Sequence, residues 1–365
     1  MAEGRTPARI IELRDDEVGL DAVVVVDHEL FPVSAGGTRM IPDVSVEEVA
    51  RLARAMTWKF ASCRLPYAGA KAGLRFGGGD RAAVLAAYFR ALEPLKDSFL
   101  TGPDMGTHPA DFVEDPDAEL PLWAQTYQGM GMDDLATGHG VVAAAAAALA
   151  RLGGSLEGAA VAIEGFGKVG AGTALACVQG GARVVGLSTI EGCIADPSGF
   201  DVEALLELRS RHRDGLVRHA TVPHRPHEDL FTLDCDVVVP GARPDSVTPG
   251  VVERLRCAVV SPGANVPYAP GAIEALHARG IVALPDFVAN SGGVHLYESL
   301  QPGDDAPTAL ARIEAIVAET TVRVLDAAQA SGVTPMAAAL EDGRRWLLEA
   351  VPSGADLVEE LFPAS

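Results

Sequence analysis

Three side chains in the first third of the chain have types and settings suited to acid–base chemistry on a small charged molecule: Lys59, Lys71 and Asp104. Lys59 follows Leu52 and Met56 at helical spacing, which puts an ammonium on the apolar stripe of a helix rather than on its wet face. A lysine there either holds an anion or snorkels along the stripe to water. Lys71 lies in Gly69-Ala70-Lys71-Ala72-Gly73, flanked only by small residues. In a tight, poorly solvated pocket such a lysine loses pKa and becomes fit for proton transfer; in an open loop it is an ordinary surface cation. Asp104, in Pro103-Asp104-Met105-Gly106, is either a turn former or a carboxylate that works with the two lysines. Upstream, the bare backbone of Gly36-Gly37 suits a turn or a ligand lying against it.

A second constellation, Gly165-Phe166-Gly167-Lys168-Val169-Gly170, follows the apolar run Ala160 to Glu164 and precedes an Ala-rich helix. In a dinucleotide site the first glycine makes the tight turn and the second lets a pyrophosphate approach the backbone. The third packs helix against strand, with the phosphates over the helix N-terminus. Glycine turns also join strands to helices for steric reasons alone, so the reading leans on the strand before and the helix after.

The elements that must position these groups follow from patterning. Ser45-Val46-Glu47-Glu48 is a capping box, and Val49, Leu52, Ala53, Met56 and Phe60 then recur at helical spacing, which predicts a helix over 46–62. Arg81 to Leu95 reads as a second helix, Gly129 to Leu135 as a linker, and Ala136-Thr137-Gly138-His139-Gly140-Val141 as the opening of a long one. Beyond it, the runs 160–164, 183–187, 235–240, 257–260 and 281–284 read as strands of a parallel, doubly wound sheet. Ligands bind at the C-terminal ends of such strands, here Gly241-Ala242, Gly263-Ala264-Asn265 and Asn290-Ser291-Gly292-Gly293. Leu310, Ile313, Val317 and Val324 predict an amphipathic helix stopping near Gly332, with another starting at Thr334-Pro335.

At 365 residues the chain has room for two domains, each with its own core. Fifty acidic against 29 basic residues give a net charge of −21, which repels phosphate backbones and argues against a nucleic-acid partner. With no long apolar run and no hydrophobic signal core at the N-terminus, the expectation is a cytoplasmic protein without a membrane partner. The cysteines (Cys63, Cys177, Cys193, Cys235, Cys257) are odd in number and lack a CxxC pair, the pattern of neither a disulfide framework nor a zinc site, and no metal is expected.

Taken in order, eight motifs resemble those of the glutamate/leucine/phenylalanine/valine dehydrogenases: Gly36 to Met40, Met56 to Lys59, Gly69 to Lys71, Pro103 to Thr107, Ala136 to Val141, Gly165 to Gly170, Gly263 to Pro267 and Pro285 to Val294. In length and motifs the chain looks nearest the leucine/phenylalanine branch. The resemblance implies an α/β protein in which an N-terminal substrate and oligomerisation domain (1–134, completed by helices over about 326–365) joins a Rossmann domain (135–325), with the cleft between them. It implies a homo-oligomeric oxidoreductase that interconverts an L-amino acid with its 2-oxo acid and ammonia. By that analogy Lys59 holds the α-carboxylate, Lys71 polarises the carbonyl and activates water, and Asp104 shuttles protons. Gly36, Gly37, Asn265 and Val294 would contact substrate. The cofactor would lie against Thr137, Gly165, Phe166, Gly167, Lys168, Val169, Gly170, Ser188, Thr189, Gly241, Ala242, Asn265 and Asn290.

Four departures bear on specificity. Thr189 stands where the family often has the ribose-binding aspartate; no arginine follows at once and Glu191 is near, which favours NAD with NADP as the alternative. Ala68 and Ala72 replace two glycines around Lys71, which would tighten the floor of its pocket. Ala35 replaces the lysine that reads glutamate's distal carboxylate, and Gly102 has no side chain, so the pocket suits a bulky apolar or aromatic substrate, narrowed by Tyr297. Three other readings stay open: a specialised amino acid of a biosynthetic pathway, a reductase of another carbonyl, and a non-catalytic nucleotide-binding homologue.

Overall fold

The computed structural model describes residues 6–113, 120–301 and 303–363, in two compact units: 1–124 with 340–365, and 125–339. The first unit runs β1 (Arg9–Asp15), β2 (Leu20–Val26), β3 (Ser34–Ile41), α1 (Val46–Ser62), β4 (Ala68–Arg75), α2 (Arg81–Leu92) and β5 (Phe99–Pro103). Its sheet has the order β1-β2-β4-β3-β5, with β3 parallel to β4 and β5, and β2 antiparallel to β1 and β4. Because side chains alternate along a strand, β2 supplies both faces. Leu20, Ala22, Val24 and Val26 pack with Val84, Leu85 and Tyr88 of α2, whereas Val23 and Val25 pack with Val44, Val49 and Ala53 on the α1 side.

The same alternation sorts β4. Ala68, Ala70, Ala72 and Leu74 join the α2 core, while Gly69 and Gly73 abut α1: a Cβ on Gly69 would lie 2.3 Å from the Ala53 carbonyl oxygen. Lys71 therefore shares the α1 face, and Ala68 and Ala72 lie on the opposite one. They do not line the lysine's pocket, contrary to expectation, because residues at odd spacing from Lys71 cannot share its side of a strand. Nor does Gly36-Gly37 form a turn; both residues lie within β3, where a Cβ on Gly36 would stand 1.7 Å from the Ala70 carbonyl oxygen.

The second unit opens with a hairpin, β6 (Thr126–Tyr127) and β7 (Met130–Gly131), whose Gln128-Gly129 turn has both residues at positive φ (51° and 76°), the pairing that a two-residue hairpin favours. The helix α3 (Met132–Arg151) then starts at Met132, so the expected linker over 129–135 is part hairpin and part helix. There follow β8 (Ala160–Glu164), α4 (Lys168–Gln179), β9 (Arg183–Thr189), β10 (Gly192–Ala195), α5 (Val202–His212), α6 (Leu216–His219), β11 (Val237–Pro240), α7 (Pro249–Val252), β12 (Val259–Val260), α8 (Ala272–Ala278) and β13 (Val282–Ala283). The sheet order is β10-β9-β8-β11-β12-β13, parallel throughout except that β10 returns antiparallel to β9. This is the doubly wound α/β arrangement, its central strands buried on both faces. Small helices α9 (Asp286–Ala289) and α10 (Gly292–Glu298) precede α11 (Ala306–Ser331), which Gly332 ends in the left-handed conformation.

Last come α12 (Pro335–Ala350) and α13 (Ala355–Leu361). From Leu340 the chain belongs to the first unit and braces α1: Arg64 pairs with Asp342 at 2.8 Å, Gly343 lies against Trp58, and Phe362 meets the Trp58 ring edge-on at 4.9 Å. That packing fixes the end of α1 that carries Lys59.

Candidate active site

On the α1 face of the first sheet, three strand segments converge. Register sets Thr38 of β3 opposite Ala72 of β4 and Pro103 of β5, so Gly37, Lys71 and the start of the loop after β5 come level. There Lys71 Nζ lies 3.1 Å from Asp104 Oδ2, and Arg39 Nε donates to that same oxygen at 3.0 Å. Arg39 also pairs through Nη1 with Glu48 of α1. The Asp104 backbone N–H donates to Thr107 Oγ1 at 2.8 Å, and that hydroxyl lies 2.9 Å from the Thr38 carbonyl oxygen, so the loop is tied to β3.

Burial and charge act on this cluster together. Lys71 is 4% exposed, and burial lowers its pKa below the lysine range; Asp104 opposes the shift and the Arg39 charge adds to it. Burial would raise Asp104, but Lys71 and Arg39 hold its carboxyl far below the usual carboxylate range. The lysine is thus the member whose proton is loose. Gly37 leaves room beside them: its Cβ would stand 3.1 Å from Lys71 Nζ and 3.0 Å from Asp104 Cβ.

Lys59 is buried within α1 at 7% exposure. Ala35, two residues before Gly37 and buried, points to the same face of β3, and Gly102 pairs with Gly37 from β5. Val294 and Tyr297 lie one turn apart on α10 in the second unit.

At the glycine turn of the second unit each glycine has a distinct geometry. Gly165 has φ +84° and backs onto Ala242, and a Cβ on Gly170 would lie 1.9 Å from the Gly165 carbonyl oxygen. A Cβ on Gly167, by contrast, would meet nothing within 4 Å. Packing does not demand glycine there, whereas a pyrophosphate lying against the backbone would. That observation, with Gly167 as N-cap of the twelve-residue α4 and Lys168 opening it, fits a nicotinamide dinucleotide. Ser188 Oγ accepts from the Gly165 N–H at 3.3 Å, and Gly241 presses on the Glu164 carbonyl. Phe166 is buried, and its carbonyl accepts from Arg209 Nε of α5 at 3.1 Å. Val169 accepts from Thr173 Oγ1 through its own carbonyl at 2.9 Å.

At the far strand ends Asn290 Nδ2 donates to Asn265 Oδ1 at 3.0 Å, and the buried Asp286 accepts from the Val266 N–H at 2.8 Å, stabilising that residue's positive φ of 52°. Thr137 Oγ1 donates to the Asp133 carbonyl, and a Cβ on Gly293 would stand 3.1 Å from that hydroxyl. Thr189 is 3% exposed and donates to the Asp214 carbonyl at 2.7 Å, so its hydroxyl is taken up by the fold. Glu191, two residues on, pairs with Arg218 at 2.9 Å and lines a hollow of about 430 Å³ with Ile190, His224 and His227. Arg39, Arg209 and Asp286 escaped the sequence reading. Arg39 and Asp286 sat inside motifs, Gly36 to Met40 and Pro285 to Val294, but only the structure shows what they hold.

A doubly wound unit shaped for a dinucleotide, in one chain with an α/β unit that sets a buried lysine against an aspartate, is the layout of a dinucleotide-dependent enzyme. Residues 129–350 match the profile of the glutamate/leucine/phenylalanine/valine dehydrogenases, and 9–113 match that family's dimerisation domain. The chain belongs to this family, and is an NAD(P)-dependent amino acid dehydrogenase. It is 34% identical over 322 residues to glutamate dehydrogenase of Thermotoga maritima, covering 80% of this chain and 76% of that one. Among solved structures it is similar to the hetero-hexameric glutamate dehydrogenase of Thermus thermophilus in its Leu-bound form (TM-score 0.80, 25% identity, 95% of this chain and 90% of that one). It shares the fold of L-tryptophan dehydrogenase from Nostoc punctiforme (TM-score 0.65, 21% identity, 94% and 96% of the two chains).

Proposed function

We propose that the protein carries out oxidative deamination of an L-amino acid with a bulky apolar or aromatic side chain, and the reverse reductive amination. The buried contact between Lys71 and Asp104, with the bare Gly37 beside it, carries this reading. Lys59 holds the substrate's α-carboxylate as an ion pair. Asp104 receives a proton from the substrate amino group, and becomes a better acceptor once Lys71 has lost its own proton and only Arg39 still faces it. Lys71, as the neutral amine, takes a proton from water so that hydroxide attacks the imine carbon, gives that proton to the nitrogen as ammonia leaves, and takes up the hydroxyl proton as the carbonyl forms. The nicotinamide, when bound, supplies the hydride acceptor. Gly165, Gly167 and Gly170 would hold its pyrophosphate, with Ser188, Gly241 and Ala242 around the turn, and Thr137, Asn265 and Asn290 would position the ring.

The side-chain preference rests on Ala35. A distal carboxylate needs a cation, and this buried alanine on the Lys71 face supplies none. Relatives named for glutamate favour glutamate as the second reading. Comparing kcat/KM for phenylalanine, tryptophan, leucine and glutamate decides between them; a clear preference for glutamate would overturn the first. NAD is the proposed cofactor, with NADP as alternative, because Glu191 puts a carboxylate near the end of β9. A homo-oligomer is proposed as well: β1 is an edge strand whose Ile10 is 49% exposed, and the matched domain is described as a dimerisation domain. Mass photometry at working concentration tests it.

A further inference from the structure

Asp104 Oδ2 is shared. It accepts from Lys71 Nζ at 3.1 Å and from Arg39 Nε at 3.0 Å, and Arg39 extends through Nη1 to Glu48 at the start of α1. The Arg39 side chain is 7% exposed, so these ion pairs form largely out of water. A guanidinium is planar and carries its donors in a fixed fork; it can reach two carboxylates from one rigid group, which a lysine ammonium on a flexible stem does not reproduce.

We propose that Arg39 is a positioning residue for the deamination reaction, fixing the Asp104 carboxylate in orientation and standing as a permanent cation beside the Lys71 amine. The inference rests on the acid–base roles proposed for Lys71 and Asp104 and names what holds them in order. Neighbouring residues of β3 secure Asp104 at both ends: Arg39 by the side chain, and Thr38 through Thr107 by the backbone. The loop is also pinned to the next residue, because the Met40 N–H donates to the Met105 carbonyl at 2.8 Å and a Cβ on Gly106 would lie 1.9 Å from the Met40 carbonyl oxygen. A carboxylate so held cannot swing away when the substrate ammonium arrives.

The second effect is electrostatic. Among the described residues the charged groups acting on Lys71 are Asp104, which favours its proton, and Arg39, which repels it; those acting on Arg39 are Asp104 and Glu48. Removing the Arg39 charge takes away its repulsion and keeps the Asp104 attraction, so the ammonium form gains. The sign is therefore upward: Lys71 holds its proton to higher pH.

The test uses the full-length enzyme with Arg39→Gln and Arg39→Lys. In Arg39→Gln the ascending limb of kcat/KM for deamination moves up by about one to two pH units, the size expected for two like charges a few ångströms apart in a partly buried setting. Its kcat falls while the dissociation constant for the cofactor stays unchanged. In Arg39→Lys the limb stays near the wild-type position because the charge remains, but kcat falls about tenfold because one ammonium cannot hold both carboxylates. A readout independent of turnover is the pH dependence of Lys71 acylation by an amine-directed reagent, followed by mass spectrometry. It shows the same upward shift in Arg39→Gln even if the protein proves inactive with every amino acid tried, an outcome that counts against the proposed reaction and not against Arg39. An unshifted Lys71 titration in Arg39→Gln, or equal losses in both variants with unmoved limbs, overturns the proposal and leaves Arg39 a structural residue.

Discussion

Lys71 Nζ stands 3.1 Å from Asp104 Oδ2, two opposite charges brought together from strand β4 and from the loop after β5, with 5% and 20% of their side-chain surfaces exposed. In water such a contact contributes little, but here burial sets what each group does with its proton. Before substrate arrives the carboxylate stays charged and the lysine titrates early, so Lys71 is the member of the pair that sets the pH dependence.

The pH dependence follows from those directions. Deamination kcat/KM should rise as Lys71 loses its proton, at a pH below the ordinary lysine value of about 10.4. Asp104 should add no limb between about pH 5 and 8, because Lys71 and Arg39 keep it ionised there. For stability, a depressed carboxyl pKa gives a contribution that is complete above about pH 4 and is lost only as pH falls through the lower folded value. A pH–rate profile beside thermal melts across the same range checks both. An acid limb near pH 6 in the rate profile would contradict the assignment.

Two glycines of the same turn should respond in opposite ways. Gly167→Ala adds a methyl in open space, so stability should change by less than about 0.5 kcal/mol while cofactor affinity drops about tenfold or more. Gly170→Ala drives a methyl to 1.9 Å from the Gly165 carbonyl oxygen and should cost about 2 kcal/mol or more in stability. Melting curves and cofactor titration by fluorescence separate the two.

The distal pocket can be probed by restoring a charge. Ala35→Lys places an ammonium on the face that holds Lys71, and should raise kcat/KM for glutamate relative to phenylalanine by about tenfold or more. No change in that ratio would remove Ala35 from the specificity argument.

How much of this was legible in the sequence depended on whether a residue's type clashed with its setting. Lys59 on an apolar stripe, Lys71 among alanines and glycines, and the glycine turn after a strand all declare themselves, and so does α1, capped by Ser45. What needs register was hidden. Ala68 and Ala72 read as neighbours of Lys71, yet alternation puts them in the opposite core. Arg39 looked like one more residue after two glycines, and only the pairing of β3 with β4 and β5 brings it to Asp104. The run Gly129-Met130-Gly131 hid only where α3 begins, at Met132 instead of Ala136; Gly138, read inside the helix, serves packing, since a Cβ there would lie 2.4 Å from Gly172. The short antiparallel β10 gave no signal, because four residues carry too little alternation to read.

Cofactor choice gives a further prediction. The Thr189 hydroxyl is occupied by the Asp214 carbonyl, and Glu191 puts a carboxylate two residues beyond the end of β9. Glu191→Gln should reduce the preference for NAD over NADP by about tenfold, read as the ratio of kcat/KM values with the two cofactors. An unchanged ratio would place ribose recognition elsewhere.

The central claim is that Lys71 and Asp104 perform amino acid deamination, and cofactor reduction tests it most directly. Wild type and Lys71→Ala are each incubated at alkaline pH with every standard amino acid and NAD or NADP, following absorbance of the reduced cofactor. The account predicts reduction by wild type, fastest with a bulky apolar or aromatic amino acid, and a fall of about 10² to 10⁴ in kcat for Lys71→Ala with cofactor binding intact. Equal rates for wild type and Lys71→Ala would contradict it.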